Sequence, residues 1–349
     1  MNIQQINTIP FFGIRKYTFN NKQNTYKSTS QVNYADYCTF GANDTQAAYK
    51  KNLREITNLP CASCGEIVLT DSDVKSVIPD DFKGTTEHFI GAIAPFEDEL
   101  RPIEKQFFGI LKKQAKKHPH TKIKKMLHSL YTTHSKLLLR KQENVIRDVI
   151  KMNDSIVLDH DAQKDLYEAI NDAKNIINSD VIPLVRRRRL ILAKFSNLIV
   201  KYPDENNFIK IVEKVSKLPA AKNDIDAFIT TYAERTPADI CARLLQPSSA
   251  TIEHIFPKCT PQGENKLRNY IVLCGRCNDE RNNQPYPKWI AKHPEMIDNA
   301  QKNIDRIILA INRNEIRNYE HYPADVKATL RVATQGAVDL DISKLKPTR

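Results

Sequence analysis

Glycine is scarce in this sequence, with 9 residues in a chain of 349. Tight hairpins and sheet corners depend on glycine for backbone angles that other residues avoid. The 41% of hydrophobic residues is enough for an ordinary core, so this scarcity favours a helical protein over a β-rich one. The length indicates more than one average domain.

Long apolar runs are also lacking. No stretch approaches the roughly 18 apolar residues of a membrane-spanning helix, and the start MNIQQINTIPFFGIRKY has neither the basic beginning nor the apolar centre of a signal peptide. We therefore expect a cytoplasmic protein without a membrane partner. In that compartment the 7 cysteines are expected to be thiols or metal ligands rather than disulfides, and their odd number agrees.

A P-loop, Gly-x-x-x-x-Gly-Lys-Ser/Thr, is missing as well. Nucleotide hydrolysis of the P-loop type is therefore excluded for this chain. A nucleotide-driven switch would have to lie in another subunit.

Positive charge, in contrast, is abundant, with a formal net charge of +12. Residues 101–152 hold fourteen Lys or Arg against three Asp or Glu, which is almost the whole excess. This favours a polyanionic partner, nucleic acid ahead of an anionic membrane surface, although a solvated helix face is the alternative. The side chains that we predict to contact nucleic acid are Lys112, Lys113, Lys116, Lys117, Lys124, Lys125, Arg186, Arg187, Arg188 and Arg189.

Four segments follow from the pattern along the chain. Residues 1–95 begin with a polar stretch, 1–42, predicted as strands or irregular structure, and end after a first cysteine knuckle. Residues 96–245 have apolar side chains at helical spacing and predict five to seven helices in a basic block. Residues 246–295 are strand-like and carry a second knuckle, and residues 296–349 form a helical tail.

Two Cys-x-x-Cys knuckles indicate a structural zinc site with four thiolate ligands: Cys61, Cys64, Cys274 and Cys277. The usual gap between two knuckles is about 15–20 residues, so this pairing requires the helical block to be inserted between the two halves of the site. The alternative is unpaired core cysteines. The other thiols are expected to be ordinary ones, with Cys259 near enough to be a substitute ligand: Cys38, Cys241 and Cys259.

The stretch from Thr251 to Asn283 combines the second knuckle with other polar groups. TIEHIF is β-branched and aromatic and predicts a strand, and PKCTPQGENKLR predicts a loop. NYIVLC predicts a second strand, and GRCNDERNN a helix that starts at the knuckle. The order is strand, loop, strand, helix, with His254 at the end of the first strand.

This arrangement resembles the HNH endonuclease family, also called ββα-metal or His-Me finger nucleases. The matching elements are Glu253-His254, Pro257, Gly263, Asn269, the strand 271–273 and Cys274-x-x-Cys277-Asn278. The resemblance implies a mainly α protein with a small, zinc-stabilised ββα-metal module at 246–295 and a large helical insertion. The IEHIFPK version is loosely similar to nuclease subunits of bacterial defence systems of the Septu type, which implies a protein partner, an ATPase.

By this resemblance, Glu253 and Asn278 bind a catalytic Mg²⁺ or Mn²⁺, which needs hard oxygen ligands. His254 is the general base, because neutral imidazole can take a proton from water near pH 7. Asn269 holds the His254 ring or braces the loop, and Asn282 is a fallback metal ligand. The expected substrate is DNA. The alternatives are RNA such as tRNA, or a non-catalytic zinc module that binds nucleic acid or scaffolds a complex.

Several other motifs compete with this interpretation. A second Glu-His pair, Glu87-His88, lies about twenty residues after the first knuckle, but no Asn, strand and Cys-x-x-Cys follow it. Asp159-His160-Asp161 resembles a metal triplet and is better explained as a helix cap. We expect Tyr286 and Trp289 to pack the tail onto the finger. The histidines of the basic block are expected at the surface: His118, His120, His128 and His134.

Overall fold

The structure is a computed structural model that describes residues 44–346. Our predictions for residues 1–42 and for Cys38 fall outside this range. Within it, fourteen α-helices dominate and two short strands form a single sheet, which confirms the mainly α fold class with a small ββα module. None of the described helices is long and apolar enough to cross a membrane.

One short helix precedes the first knuckle in the chain, and two follow it. They are α1 (Asp44–Arg54), α2 (Asp71–Val77) and α3 (Thr86–Ile93). The hydroxyl of Thr70 accepts the backbone N–H of Asp73 at 2.9 Å, and the Asp73 carboxylate accepts the N–H of Thr70, so a reciprocal capping box starts α2. The hydroxyl of Thr85 caps α3 in the same position.

The basic block contains seven α-helices, in agreement with the predicted five to seven. They are α4 (Pro102–Lys117), α5 (Ile123–Asn153), α6 (His160–Ile177), α7 (Leu184–Lys201), α8 (Asn206–Ser216), α9 (Ile225–Tyr232) and α10 (Pro237–Leu245). The Asp159 carboxylate accepts the backbone N–H of Ala162 at 2.8 Å and caps α6. The Asp159-His160-Asp161 triplet is therefore a helix start, as predicted.

The finger follows the block as two antiparallel strands and a helix. They are β1 (Ala250–His254), β2 (Tyr270–Cys274) and α11 (Gly275–Arg281). The register pairs Ala250 with Cys274 and His254 with Tyr270, so β1 ends where the loop between the strands begins. The predicted order of strand, loop, strand and helix is confirmed, although β1 ends two residues earlier than TIEHIF suggests.

The chain then runs through three more helices, α12 (Tyr286–Lys292), α13 (Met296–Asn312) and α14 (Tyr322–Ala333). Tyr286 and Trp289 on α12 are almost fully buried against the strands and α13. The prediction that these two aromatic residues pack the tail onto the finger is confirmed.

Buried apolar side chains form three clusters in the described residues. The first combines residues 53–68 with both strands and α12–α14, the second combines residues 74–130 with 228–245, and the third lies within residues 146–218. The first cluster therefore draws on chain from both sides of the basic block. This is the arrangement that the pairing of the two knuckles requires.

Candidate active site and zinc centre

The two cysteine knuckles meet in space although 210 residues separate Cys64 from Cys274. All four Sγ atoms lie within 4.8 Å of one another, and those of Cys64 and Cys274 are 3.9 Å apart. Four thiolates bonded to one zinc at about 2.3 Å stand about 3.8 Å apart. The four thiols could thus hold one zinc ion, and no other group of three or more metal-binding side chains of His, Cys, Asp or Glu occurs among residues 44–346.

Backbone amides point at these sulfur atoms. Cys61 Sγ accepts the N–H of Ser63 at 3.4 Å and of Cys274 at 3.2 Å, and Cys274 Sγ accepts the N–H of Cys277 at 3.4 Å. Hydrogen bonds from the thiols of Cys274 and Cys277 lower the pKa of Cys61 to about 7. Donors of this kind stabilise thiolates and orient them as ligands, so the centre has the character of a closed structural site.

Side chains from the tail hold the first knuckle in place. Trp289 Nε1 donates to Ser63 Oγ at 3.1 Å, Asn299 Nδ2 to the Ser63 carbonyl at 2.9 Å, and Asn303 Nδ2 to the Pro60 carbonyl at 2.6 Å. Gly65 adopts φ 80°, and a Cβ there would lie 2.6 Å from Asn299 Oδ1, so only glycine fits this turn. The first knuckle is therefore anchored to α12 and α13.

A cavity of about 440 Å³ opens between the end of β1 and the second half of α11. Three of the four side chains predicted to be catalytic contribute to its wall, whereas Asn269 does not. Four further polar side chains, three of them not predicted, complete the polar lining. The lining residues are Glu253, His254, Pro257, Lys258, Asn278, Asp279, Asn282 and Asn283.

Asn269 is buried at the end of the loop that joins the strands. Its Oδ1 accepts the backbone N–H of Phe256 at 2.8 Å, and its Nδ2 donates to the carbonyls of Phe256 at 3.0 Å and Glu264 at 2.9 Å. The side chain therefore ties both ends of the loop together directly after His254. Of the two roles considered for Asn269, these contacts favour the loop brace.

His254 is half-buried at the cavity wall. Its ring meets the Tyr270 ring edge-on at 5.2 Å between centroids, and its Nε2 lies 3.4 Å from Asn265 Oδ1. Burial, together with the ammonium groups of Lys258 and Lys50, lowers the pKa of His254 to about 4. The imidazole is consequently neutral at pH 7, the state in which it can accept a proton.

Glu253 is buried, and a guanidinium that the sequence analysis missed neutralises it. Arg281, fully buried at the end of α11, forms an ion pair with Glu253 Oε1. Arg281 also donates to the carbonyls of His254 at 3.3 Å and Ile255 at 3.0 Å, and it lies 4.1 Å from the centroid of the Tyr286 ring. The pair therefore fixes the Glu253 carboxylate and the end of β1 together.

Asn278 sits in the first turn of α11. Its Nδ2 donates to Thr251 Oγ1 at 3.0 Å on β1, which leaves the amide oxygen as the group that can bind a cation. With Glu253 and the carboxylate of Asp279, which also lines the cavity, it forms a set of hard oxygen donors of the kind that Mg²⁺ and Mn²⁺ prefer. The residues present thus fit a divalent cation, although Arg281 already engages one oxygen of Glu253 and Arg101 one oxygen of Asp279.

The competing Glu87-His88 pair lies elsewhere. Both residues are exposed in the first turn of α3, and neither lines the cavity or approaches the cysteines. Asn282, the fallback ligand, lines the cavity at the end of α11, where it adopts φ 49°.

Three of the predicted phosphate contacts are engaged by the protein itself. Arg187 is buried and donates to the carbonyls of Ser179 at 2.6 Å and Ile182 at 3.0 Å, in the connection between α6 and α7. The buried guanidinium satisfies backbone carbonyls, so we do not keep Arg187 among the proposed nucleic-acid contacts. Arg188 donates to the Leu218 carbonyl at 2.9 Å, and Lys112 forms an ion pair with Glu97 at 2.8 Å.

The remaining predicted contacts are exposed and form no ion pair in the described part of the chain. Five of them cluster where α4 ends and α5 begins, and we call them the α4–α5 patch: Lys113, Lys116, Lys117, Lys124 and Lys125. The other two, Arg186 and Arg189, lie on α7.

The start of α4 lies beside the cavity. Arg101, which precedes this helix, forms an ion pair with Asp279 on α11 and hydrogen-bonds Gln246. A helix of 16 residues is about 24 Å long. The α4–α5 patch is therefore about one helix length from the cavity along the axis of α4.

The comparison with known families agrees with this geometry. Residues 239–284 match the family model for HNH endonuclease, a range that contains β1, β2 and α11. No curated protein and no solved structure matches the chain.

Proposed function

Because residues 239–284 are an HNH endonuclease domain, we propose that the protein is a metal-dependent endonuclease that hydrolyses phosphodiester bonds of DNA. The observation that carries this proposal is the convergence of Glu253, His254 and Asn278 on one cavity. The neighbouring cluster of four cysteines is proposed to bind structural zinc, which would clamp β2 and α11 to the chain before the basic block.

Each side chain has a role that its surroundings support. Glu253 and the amide oxygen of Asn278 hold a Mg²⁺ or Mn²⁺ ion, which supplies neutralisation of charge on the scissile phosphate. His254, neutral at pH 7, takes a proton from the attacking water. Asn269 braces the loop that follows His254 and so fixes the end of β1.

The α4–α5 patch is proposed to bind the phosphate backbone of the substrate. Lysines contact phosphates without regard to sequence, so they supply affinity and position rather than choice of site. Its five lysines lie on the end of α4 and the start of α5, and none of them forms an ion pair in the described part of the chain, which supports this proposal.

DNA is the proposed substrate and RNA is the alternative, because the reaction uses a water nucleophile and needs no 2′-hydroxyl. Side-by-side cleavage of DNA and tRNA of equal concentration distinguishes the two. The loose similarity to defence nucleases also supports a protein partner, an ATPase, that controls cleavage. Co-purification of the tagged chain from its native host tests that part of the proposal.

The direct test is cleavage of plasmid DNA by the purified protein in Mg²⁺ or Mn²⁺. We expect His254→Ala to abolish cleavage while zinc content and helicity stay as in the wild type. His88→Ala is a matched control, since it removes the imidazole of the other Glu-His pair, and it should cut like the wild type. Equal cutting by His254→Ala and the wild type would identify a contaminant and overturn the proposal, as would a loss of cutting confined to His88→Ala.

A further inference from the structure

We propose that Lys50 and Asn265 hold the neutral imidazole of His254 in the tautomer that carries its proton on Nε2, which leaves Nδ1 as the basic nitrogen. The role of Nδ1 as a base rests on the nuclease function proposed above. The tautomer itself follows from the hydrogen bonds around His254 alone. Lys50 and Asn265 are positioning residues in this arrangement, because they act on the imidazole and not on the substrate.

One atom, Asn265 Oδ1, is shared by three neighbouring groups. Lys50 Nζ approaches it at 2.8 Å, the Tyr270 hydroxyl at 2.7 Å and His254 Nε2 at 3.4 Å. The three groups come from α1, β2 and the end of β1. The network thus joins the first described helix to the two strands of the finger.

The ammonium group of Lys50 decides which way the Asn265 amide points. An ammonium has three donors and no acceptor, so the amide atom next to it must be the oxygen. A flipped amide would place an NH₂ group against the ammonium, donor against donor. The Tyr270 hydroxyl can donate or accept, and it therefore tolerates either orientation and does not decide between them.

The orientation of the amide in turn sets the proton on His254. Nε2 faces an oxygen, which can only accept, so Nε2 must carry a hydrogen. A neutral imidazole has one N–H, and its other nitrogen is an acceptor. The acceptor is consequently Nδ1, the nitrogen that Asn265 does not engage.

The same residues also fix the plane of the ring. Lys50 Nζ lies 4.8 Å from the centroid of the Tyr270 ring, and that ring meets His254 edge-on at 5.2 Å. Lys50 lies outside the matched range 239–284, and Asn265 belongs to none of the motif positions. The finger therefore depends on α1 for the state of its base, which the family motif alone does not provide.

The tautomer can be read from the nitrogen-15 chemical shifts of the imidazole rings in protein labelled at histidine. The signals of His254 are assigned by their absence in His254→Gln. At pH 7, in zinc-loaded protein without Mg²⁺, Mn²⁺ or nucleic acid, we expect an N–H at Nε2 and an acceptor at Nδ1 in the wild type. Lys50→Met frees the amide to rotate and should shift the ring toward the other tautomer. Lys50→Arg, which again offers only donors, should restore the wild-type pattern.

Matched variants separate a specific change of the His254 tautomer from a general loss of structure. Lys51→Met removes the exposed neighbouring ammonium on α1 and should leave the His254 signals unchanged. Asn265→Ala should give a mixture of tautomers, whereas Gln262→Ala in the same loop should not. In cleavage assays we expect Lys50→Met to lower kcat by roughly 10- to 100-fold with KM unchanged, because a positioned base contributes about 10²- to 10⁴-fold.

A proton on Nδ1 in the wild type would overturn the inference, and so would an unchanged tautomer in both Lys50→Met and Asn265→Ala. The wild-type spectrum does not depend on activity. A chain that shows the Nε2–H tautomer but cuts no nucleic acid would therefore support the inferred tautomer and contradict the nuclease function alone.

Discussion

The finger and the basic block differ in how their polar groups are used. In the finger, buried polar side chains make specific contacts: Glu253 pairs with Arg281, Asn269 braces the loop, and four cysteines form one cluster. The two strands have five residues each, too few to stabilise a domain by apolar burial alone. The strands therefore rely on packing against α12–α14 in the first apolar cluster and on these polar contacts. The structural zinc that we propose would add to both.

The basic block is stabilised mainly by apolar burial. Its helices contribute to two of the three apolar clusters. A partly buried polar network joins α5 to α9. In this network Asp226 accepts from His134 at 2.6 Å and pairs with Lys141 at 2.6 Å. His134 is thus an interior partner of Asp226 and not the surface residue that we expected. We therefore expect the loss of one polar group to lower the stability of the finger far more than that of the block.

The largest effect is expected from removal of the zinc. Cys274→Ser should unfold the finger while most helicity persists, because a structural zinc contributes about 10–16 kcal/mol in zinc-finger peptides, which equals or exceeds the whole stability of an ordinary domain of about 5–15 kcal/mol. Zinc content and limited proteolysis measure the outcome. Cys259→Ser, at an exposed thiol, is the control and should keep one zinc per chain. Full zinc content in Cys274→Ser would contradict the four-cysteine site.

The next largest effect concerns the buried ion pair of the finger. Arg281→Met leaves the Glu253 carboxylate buried without its partner and should cost about 3–5 kcal/mol in the free energy of unfolding. Adding Glu253→Gln to this variant should recover part of the loss, since no uncompensated charge remains. Urea denaturation of both variants measures this coupling. Equal stability of Arg281→Met and the wild type would show that the pair is not formed.

A pH-dependent effect is expected in the block. Although burial raises the pKa of Asp226, hydrogen bonds from Lys141 and His134 outweigh it and lower the pKa below the ordinary value of 3.8. A depressed folded pKa stabilises the protein above the unfolded pKa, and this stabilisation is lost as the pH falls through the folded value.

Asp226→Asn should therefore be less stable than the wild type at pH 7, by about 1–3 kcal/mol. The difference should shrink as the pH falls below 3.8. Urea denaturation between pH 3 and pH 7 measures it, with the exposed Asp161→Asn as control. A difference that is constant over this range would contradict the proposed charge network.

The smallest effect per residue is expected in the α4–α5 patch. The test is a triple variant with Lys116→Glu, Lys117→Glu and Lys124→Glu, which should bind DNA more weakly than the wild type. The slope of log affinity against log salt concentration should fall by about 0.9 for each phosphate that the protein no longer neutralises. The control is a double variant, Lys164→Glu with Lys210→Glu, which changes two exposed lysines outside the patch. Equal salt slopes in both sets would remove the patch from the proposed interface.

The sequence predicted those parts of the site whose signals are local. The Glu253-His254 pair, Asn269, Asn278 and the second knuckle lie within one short stretch. The local pattern places them on β1, at the end of the loop before β2, at the end of β2 and on α11. Arg281 could have been found too, because it follows Asn278 by three residues and therefore projects from the same face of α11.

Other features carry no local signal. Lys50 reaches the site from α1 across more than 200 residues of sequence, and no spacing links it to His254. Asn299 and Asn303 look like ordinary polar positions of a helix until the first knuckle is seen to rest on them. The RRRR run suggested one basic surface, yet Arg187 and Arg188 point to backbone carbonyls, because side chains along a helix face different directions.

The most direct test of the proposed active site is to determine where the catalytic cation binds. Zinc-loaded protein labelled with nitrogen-15 at histidine can be titrated with Mn²⁺, whose unpaired electrons broaden the signals of nearby nuclei. If Glu253 and Asn278 hold the ion, the His254 signals should disappear first and those of His88 should persist. Broadening should be lost in the double variant Glu253→Gln with Asn278→Ala. Broadening of His88 before His254, or no preference among the histidines, would contradict the proposed site.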